Sequence, residues 1–148
     1  MFDQKNLAVI DGGIELVFAE RILAIAWNTE KELFDVNTSS VKPLLGALDF
    51  YQIDSAELPF QQDILGSRVT ALKAKWNWYN NLDDELEPVG EKQYILIEVV
   101  FSFENGHHFQ VATISYEIEN KSIHKARFDS QGELLLSLDR VIEIQGIG

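Results

Sequence analysis

The most regular segment of the chain is YILIEVVFSF, residues 94–103. Ile95, Ile97, Val99, Phe101 and Phe103 alternate with Tyr94, Leu96, Glu98, Val100 and Ser102. Period two is the spacing of a β-strand, so this segment predicts a strand with one fully buried face. Glu104-Asn105-Gly106-His107 follows. Asn-Gly predicts a type I′ hairpin turn, in which both central residues need positive φ. The expected return strand is 108–119, followed by strands over 122–129, 133–139 and the short RVIEIQ segment at 140–145. The C-terminal half thus predicts a meander of about five strands.

The N-terminal half is patterned in the same way. Strands are expected over 7–10, 14–18, 22–28, 32–36 and 50–54, with Asp11-Gly12-Gly13 as a turn and NTSSVKPLLG, 37–46, as a loop. One stretch, near 59–65, predicts a short helix. Pro59 suits a first helical position, Phe60, Ile64 and Leu65 share a face, and Gly66 is a natural stop. The expected class is mainly β, with α+β as the minor alternative. The expected architecture is a single-domain antiparallel sandwich or flattened barrel over 1–148. IELVF at 14–18 echoes IEVVF at 97–101. The echo raises a pseudo-repeat of β-meander halves, 1–54 and 69–148, against the plainer reading that buried strands draw on few residue types.

The segment KWNWYNNLDDELEP, 75–88, departs from this plain patterning. In the strand expected from Val69, Leu72, Ala74, Trp76 and Trp78 fall on one face and Lys73, Lys75 and Asn77 on the other. That alternation makes the two tryptophans a continuation of a core face. Exposed, coplanar indoles with Asn77, Asn80 and Asn81 beside them would instead make a stacking platform for a sugar. Next, LDDELEPVGE carries Asp83, Asp84, Glu85, Glu87 and Glu91 with no base among them. A solvated loop, or a contact surface for a basic partner, fits these acids. The alternating acids, central glycine and late glutamate of a calcium loop are absent.

Composition changes the picture through charge. The 148 residues carry 24 acids against 12 bases, a formal net charge of −12. Such a surface repels phosphate backbones and acidic membranes, so no nucleic-acid or membrane partner is expected. The same surface attracts a basic protein, and it also serves plain solubility. There is no cysteine, which excludes disulfide frameworks and thiol chemistry. The first residues lack the pattern of a signal peptide, and no apolar run approaches the length of a membrane span. A cytoplasmic location is expected.

No motif carries catalysis. His107 and His108 are neighbours and face opposite ways in a strand, so only one of them can join His124. No metal-ligand spacing, G-x-S-x-G nucleophile or glycine-rich phosphate loop occurs. Catalytic residues, metal and cofactors are expected to be none. Lys121, His124, Lys125 and Arg127 form a local basic group that pairs across a turn with Glu117 and Glu119 or marks a contact.

The succession IELVF…ILAIAW, YQIDSAELPFQQDILGSRVTALKAKW, YILIEVVFSFENGHHFQVATISYE and LLLSLDRVIEIQ resembles a group of small, acidic, mainly-β bacterial proteins of unknown function. Some of these are immunity partners of polymorphic toxins. The likeness spans most of the chain but includes no catalytic motif, and the His-His pair and Trp-Asn-Trp triplet have no place in it. It implies a non-enzymatic, cytoplasmic, protein-binding module that blocks a basic partner through an acidic surface. The residues expected to do so are Asp83, Asp84, Glu85 and Glu87 for charge and Tyr79 as an anchor. The alternative is a carbohydrate- or small-ligand-binding β module using Trp76, Trp78 and Asn80. A third expectation is a homo-oligomer joined through a strand edge such as RVIEIQ.

Overall fold

The computed structural model describes residues 6–31, 33–46, 58, 60–119, 122–128 and 133–139, with the backbone alone at Tyr79, 114–119 and 122–128. The expected strands at 50–54 and 140–145 lie outside the described residues. The protein is mainly β, with antiparallel sheets that do not close into a barrel and two short helices among the described residues.

The larger sheet has five strands: β1 (Leu7–Asp11), β5 (Val69–Leu82), β6 (Pro88–Phe103), β7 (His108–Ala112) and β10 (Glu133–Leu138). Their order is β1-β10-β7-β6-β5, antiparallel throughout. A three-stranded sheet joins β2 (Gly13–Val17), β3 (Ile22–Asn28) and β4 (Leu33–Asn37). A further hairpin pairs β8 (Ile114–Glu119) with β9 (Ser122–Phe128) and sets Glu117 opposite Lys125 in register.

The two larger sheets share one core. Ile25 and Phe34 from the small sheet pack in one cluster with Val99, Phe101, Phe109, Val111, Leu134, Leu136 and Leu138 from the large one. The expected alternation holds at Val99 and Phe101 but not along the whole of 95–103: an extra residue at Ile97 shifts it, so Leu96 and not Ile97 joins this cluster, and Ile95 and Phe103 are only half-buried. The cross-strand rows are continuous. Ala8, Leu136, Val111, Val99 and Ala74 stand side by side, as do Leu138, Phe109, Phe101 and Leu72. Phe60 closes one end of this core, its ring 5.7 Å from that of Phe109. Phe60 heads α2 (Gln61–Ile64), within the expected 59–65 helix.

The structure corrects four local expectations. A flattened barrel is excluded, because the described sheets stay open. The 37–46 segment is not all loop: Lys42–Leu45 form α1, with Pro43 in its first turn, and Leu44 and Leu45 pack on Ala26. The 108–119 segment is two strands in different sheets. At the break, Thr113 donates its backbone N–H to Ile97 O at 2.9 Å and its hydroxyl to Leu96 O at 2.6 Å. The 103–107 turn is not type I′, because Asn105 lacks positive φ and Gly106 alone has it, at 90°. Gly106 N donates to Phe103 O, and Phe103 N to His107 O. Asn105 instead uses its amide to hold Asp63 O at 2.8 Å and the His107 N–H at 3.2 Å, tying the turn to α2.

Gly13 opens β2 opposite Ala26, with no room for a side chain. A Cβ there would lie 2.5 Å from the Ala26 Cβ and 2.9 Å from Ile25 O. Gly13→Ala is therefore expected to lower stability by about 1–3 kcal/mol, the usual cost of overpacking, measured as a fall in the urea midpoint.

Candidate functional site: the β5–β6 ribbon

β5 and β6 are the longest strands, 14 and 16 residues. The pairing of β6 with β7 begins at Glu98, opposite Ala112. Among the described residues, 88–97 of β6 therefore pair with β5 alone, as a two-stranded ribbon about 30 Å long at roughly 3.3 Å per residue. A register shift sits at the ribbon's root. Lys75 stands opposite Glu98 and Trp76 opposite Leu96, so Ile97 is the extra residue. Such a bulge bends and twists the strand that carries it. Leu96 and Ile97 are both buried, and both carbonyls accept from Thr113.

Beyond the root the apolar face is uncovered. Trp76 is 43% exposed and Trp78 52%, and Tyr94, the cross-strand partner of Trp78, is exposed as well. The expectation that the tryptophans continue a core face is right about the side of the sheet and wrong about burial. They follow Leu72 and Ala74 along the face that holds Val99 and Phe101, but β5 is the sheet's last described strand and the small sheet does not reach over it. Leu72 itself is 52% exposed, beside a fully buried Phe101. Among the described residues, seven of the eleven large exposed hydrophobic side chains belong to the ribbon or to β5: Leu72, Trp76, Trp78, Leu82, Leu86, Val89 and Tyr94.

Polar groups frame these aromatics. The Lys92 ammonium lies 4.0 Å from the Trp78 ring centroid, a cation–π contact. Between the ribbon and β4 lies an open groove of about 260 Å³. Trp76, Gln93 and Tyr94 make one wall, Lys31, Leu33 and Asp35 the other, and Glu91 and Lys92 the rim. Lys31 pairs with Asp35 at 3.3 Å. With two lysines and two carboxylates among these side chains, the groove carries no net formal charge.

The acidic residues form the ribbon's tip. Asp83, Asp84, Glu85 and Glu87 are all exposed, and they divide by role. Asp83 builds the loop: its carboxylate accepts the N–H of Glu85 at 2.9 Å and of Glu87 at 3.0 Å. Asp83 N donates to Glu87 O, and Leu86 N to Asp83 O, the same pattern as in the 103–107 turn. The position that glycine fills there is filled here by Leu86, at φ 64° and 75% exposed. An apolar residue in the left-handed region costs about 1–2 kcal/mol, so the loop carries this side chain outward at the expense of stability. Tyr79 lies on β5 opposite Gln93, and Asn80 is half-buried at the next position. Sequence reasoning missed Lys92, Gln93 and Tyr94 as neighbours of the tryptophans, and Leu86 as the exposed residue of the tip. It read 82–91 as loop, whereas β6 starts at Pro88 and brings residues 92–94 back alongside Trp78.

The histidines stand apart from the ribbon. His107 Nδ1 is 2.6 Å from Asp139 Oδ2, and His108 Nδ1 is 3.0 Å from the Ser102 hydroxyl. The serine and the carboxylate thus contact different imidazoles, and the residues do not make a nucleophilic triad. His124 lies in β9. Among the described residues no three metal-binding side chains converge.

A scan of family models, a search of curated proteins and a search of solved structures each gave no match. No helix among the described residues is long and apolar enough to cross a membrane.

Two measurements check this geometry. Leu86→Gly is expected to raise stability by about 0.5–1 kcal/mol in urea unfolding, by relieving the left-handed strain. The second concerns Asp139. Partial burial works against its ionisation, but the His108 N–H, the His107 hydrogen bond and the charge of both histidines outweigh it and hold the carboxyl below its usual 3.8. A depressed carboxyl stabilises the fold above its unfolded value and loses that contribution as pH falls through its folded value. The stability advantage of wild type over Asp139→Asn should therefore be present at neutral pH and disappear in the acid range below 3.8, read from unfolding midpoints against pH.

Proposed function

We propose that this chain is a non-enzymatic protein-binding module whose contact element is the β5–β6 ribbon. The observation that carries the reading is the concentration of exposed hydrophobic side chains on the ribbon, next to an acidic tip. Contiguous exposed apolar surface rimmed by charge marks interaction sites. Aromatic anchors supply most of the binding energy at such sites, and rim charges supply steering and specificity. Trp76, Trp78 and Tyr94 are the anchors. Asp84, Glu85 and Glu87 meet a basic protein surface, while Asp83 holds the loop that presents them. In its specific form this is an immunity-type inhibitor in the cytoplasm, which occludes the basic surface that a toxin uses. The net charge of −12 and the resemblance to acidic immunity proteins support that form.

A second reading is favoured by the groove. Trp76 stands beside the Gln93 amide and the Asp35 and Glu91 carboxylates, with no net formal charge among the lining side chains. An indole face with hydrogen-bonding groups around it suits a neutral saccharide. Trp76→Ala would abolish binding of neutral oligosaccharides in calorimetry if that reading holds.

The leading reading is tested by capture from a lysate of the native source, at low and high salt. The bait is wild type, or a variant with Asp84→Lys, Glu85→Lys and Glu87→Lys. The expected result is one basic protein that wild type retains at low salt and releases at high salt. The purified pair should lose about tenfold or more in affinity on charge reversal and again with Trp78→Ala. A partner bound equally by wild type and by both variants would overturn the assignment of the ribbon.

A further inference from the structure

We infer that the free edge of β5 is a self-complementary interface, and that the partner it fits is a second copy of this chain paired antiparallel about a two-fold axis near Asn77. The inference rests on the reading of the ribbon as a protein-binding element and names a partner for it.

Three observations carry it. First, β5 is the last strand of the described sheet, 14 residues long, with 71–76 and Trp78 exposed. Among the described residues no strand lies beside this edge, although the Trp78 N–H is held by Asn77 Oδ1 at 2.8 Å, and a long exposed edge is a template for another strand. Second, charge is segregated along β5 and the turn that follows it. Lys73 and Lys75, with Arg68 just before the strand and 3.7 Å from Glu104, lie towards the root, and Asp83, Asp84, Glu85 and Glu87 lie at the tip, all seven exposed. A partner strand running the other way brings each root to the other's tip. Third, the side-chain pattern selects a register. An axis at Asn77 sets Leu72 opposite Leu82 and Trp76 opposite Trp78 of the second copy, with Ala74 opposite Asn80. All of these fall on the one apolar face. On the other face Lys73 stands opposite Asn81 and diagonal to Asp83, while Arg68 comes alongside the Asp84–Leu86 turn. Moving the axis by one residue sets Leu72 opposite Asn80 or Asp84 and breaks the Leu72–Leu82 match. The pairing is isologous, so it closes as a dimer and does not propagate.

Lysines on an edge strand ordinarily discourage such pairing. Here the same lysines discourage any partner except one that presents acids at the matching end. The acidic tip then meets its basic counterpart in the root of the other copy.

The test is analytical ultracentrifugation of the full chain from low micromolar to several hundred micromolar. It uses wild type, the root variant Lys73→Glu/Lys75→Glu, the tip variant Asp84→Lys/Glu85→Lys, and an equimolar mixture of the two variants. Far-UV circular dichroism and thermal midpoints serve as controls for folding. Wild type is expected to show a reversible monomer–dimer equilibrium that weakens with salt. Each variant alone should dimerise at least about tenfold more weakly, and the mixture should recover near-wild-type association as a heterodimer. Recovery in the mixture also shows that both variants are folded. Wild type that stays monomeric throughout overturns the inference. So do variants that dimerise as wild type does, or a mixture no tighter than its components. Each of these failures leaves the capture of a basic partner by the ribbon standing or falling by its own experiment.

Discussion

The contact between Ile25 and Phe34 of the small sheet and the Val99–Val111 and Phe101–Phe109 rows of the large one organises everything else. It lies in the larger of the two described core clusters, and it has a limited extent. The covering sheet is three strands wide and the sheet beneath it is five. Where the cover stops, the same face of the large sheet continues into solvent through Leu72, Trp76 and Trp78. The site is thus the part of the core face left without a lid. The bulge at Ile97 marks the changeover: on one side of it β6 has neighbours on both edges, and on the other, among the described residues, it has β5 alone.

A two-stranded ribbon is marginal on its own in water, so its order is borrowed from its root. Thr113 fastens that root by donating to both bulge carbonyls, and the chain leaves the large sheet at the same residue. At the far end Asp83 closes the loop through two backbone N–H groups. Between these two fixed points lie the aromatics and the Lys92 contact. Leu86 is the local rule-breaker. An equivalent turn in this same chain uses Gly106, so the geometry itself does not require a leucine. Leu86 thus leaves a strained apolar side chain exposed at the loop tip.

Much of the fold was legible in the sequence, because period two identifies strands and their inner faces. The 95–103 alternation located β6, which lies between β7 and β5, and the Pro59–Gly66 pattern located the short helix that Phe60 heads. Periodicity reports the side a residue is on, however, and not how far the opposing sheet extends. That is why Trp76 and Trp78 read as core and stand half in solvent. The break at Thr113 was invisible for a related reason: the sequence stays strand-like through 108–119, and the switch between sheets depends on two carbonyls sixteen and seventeen residues away. The Asn-Gly pair promised a type I′ turn, and Asn105's attachment to Asp63 O goes with a different one. Of the site, the acidic tip was legible as composition. The groove and the Lys92, Gln93 and Tyr94 neighbours were not, since they follow from β6 beginning at Pro88 within a segment rich in turn formers and acids.

The central claim is that Trp76 and Trp78 leave the core and are offered to solvent. Acrylamide quenching of tryptophan fluorescence tests it most directly. The measurement uses a Trp27→Phe variant, which removes the indole packed edge-on against Phe34, at protein concentrations low enough to keep the chain monomeric. Red-shifted emission and quenching that approaches that of a free indole are expected. Blue-shifted emission that resists acrylamide would place both tryptophans in the core and contradict it.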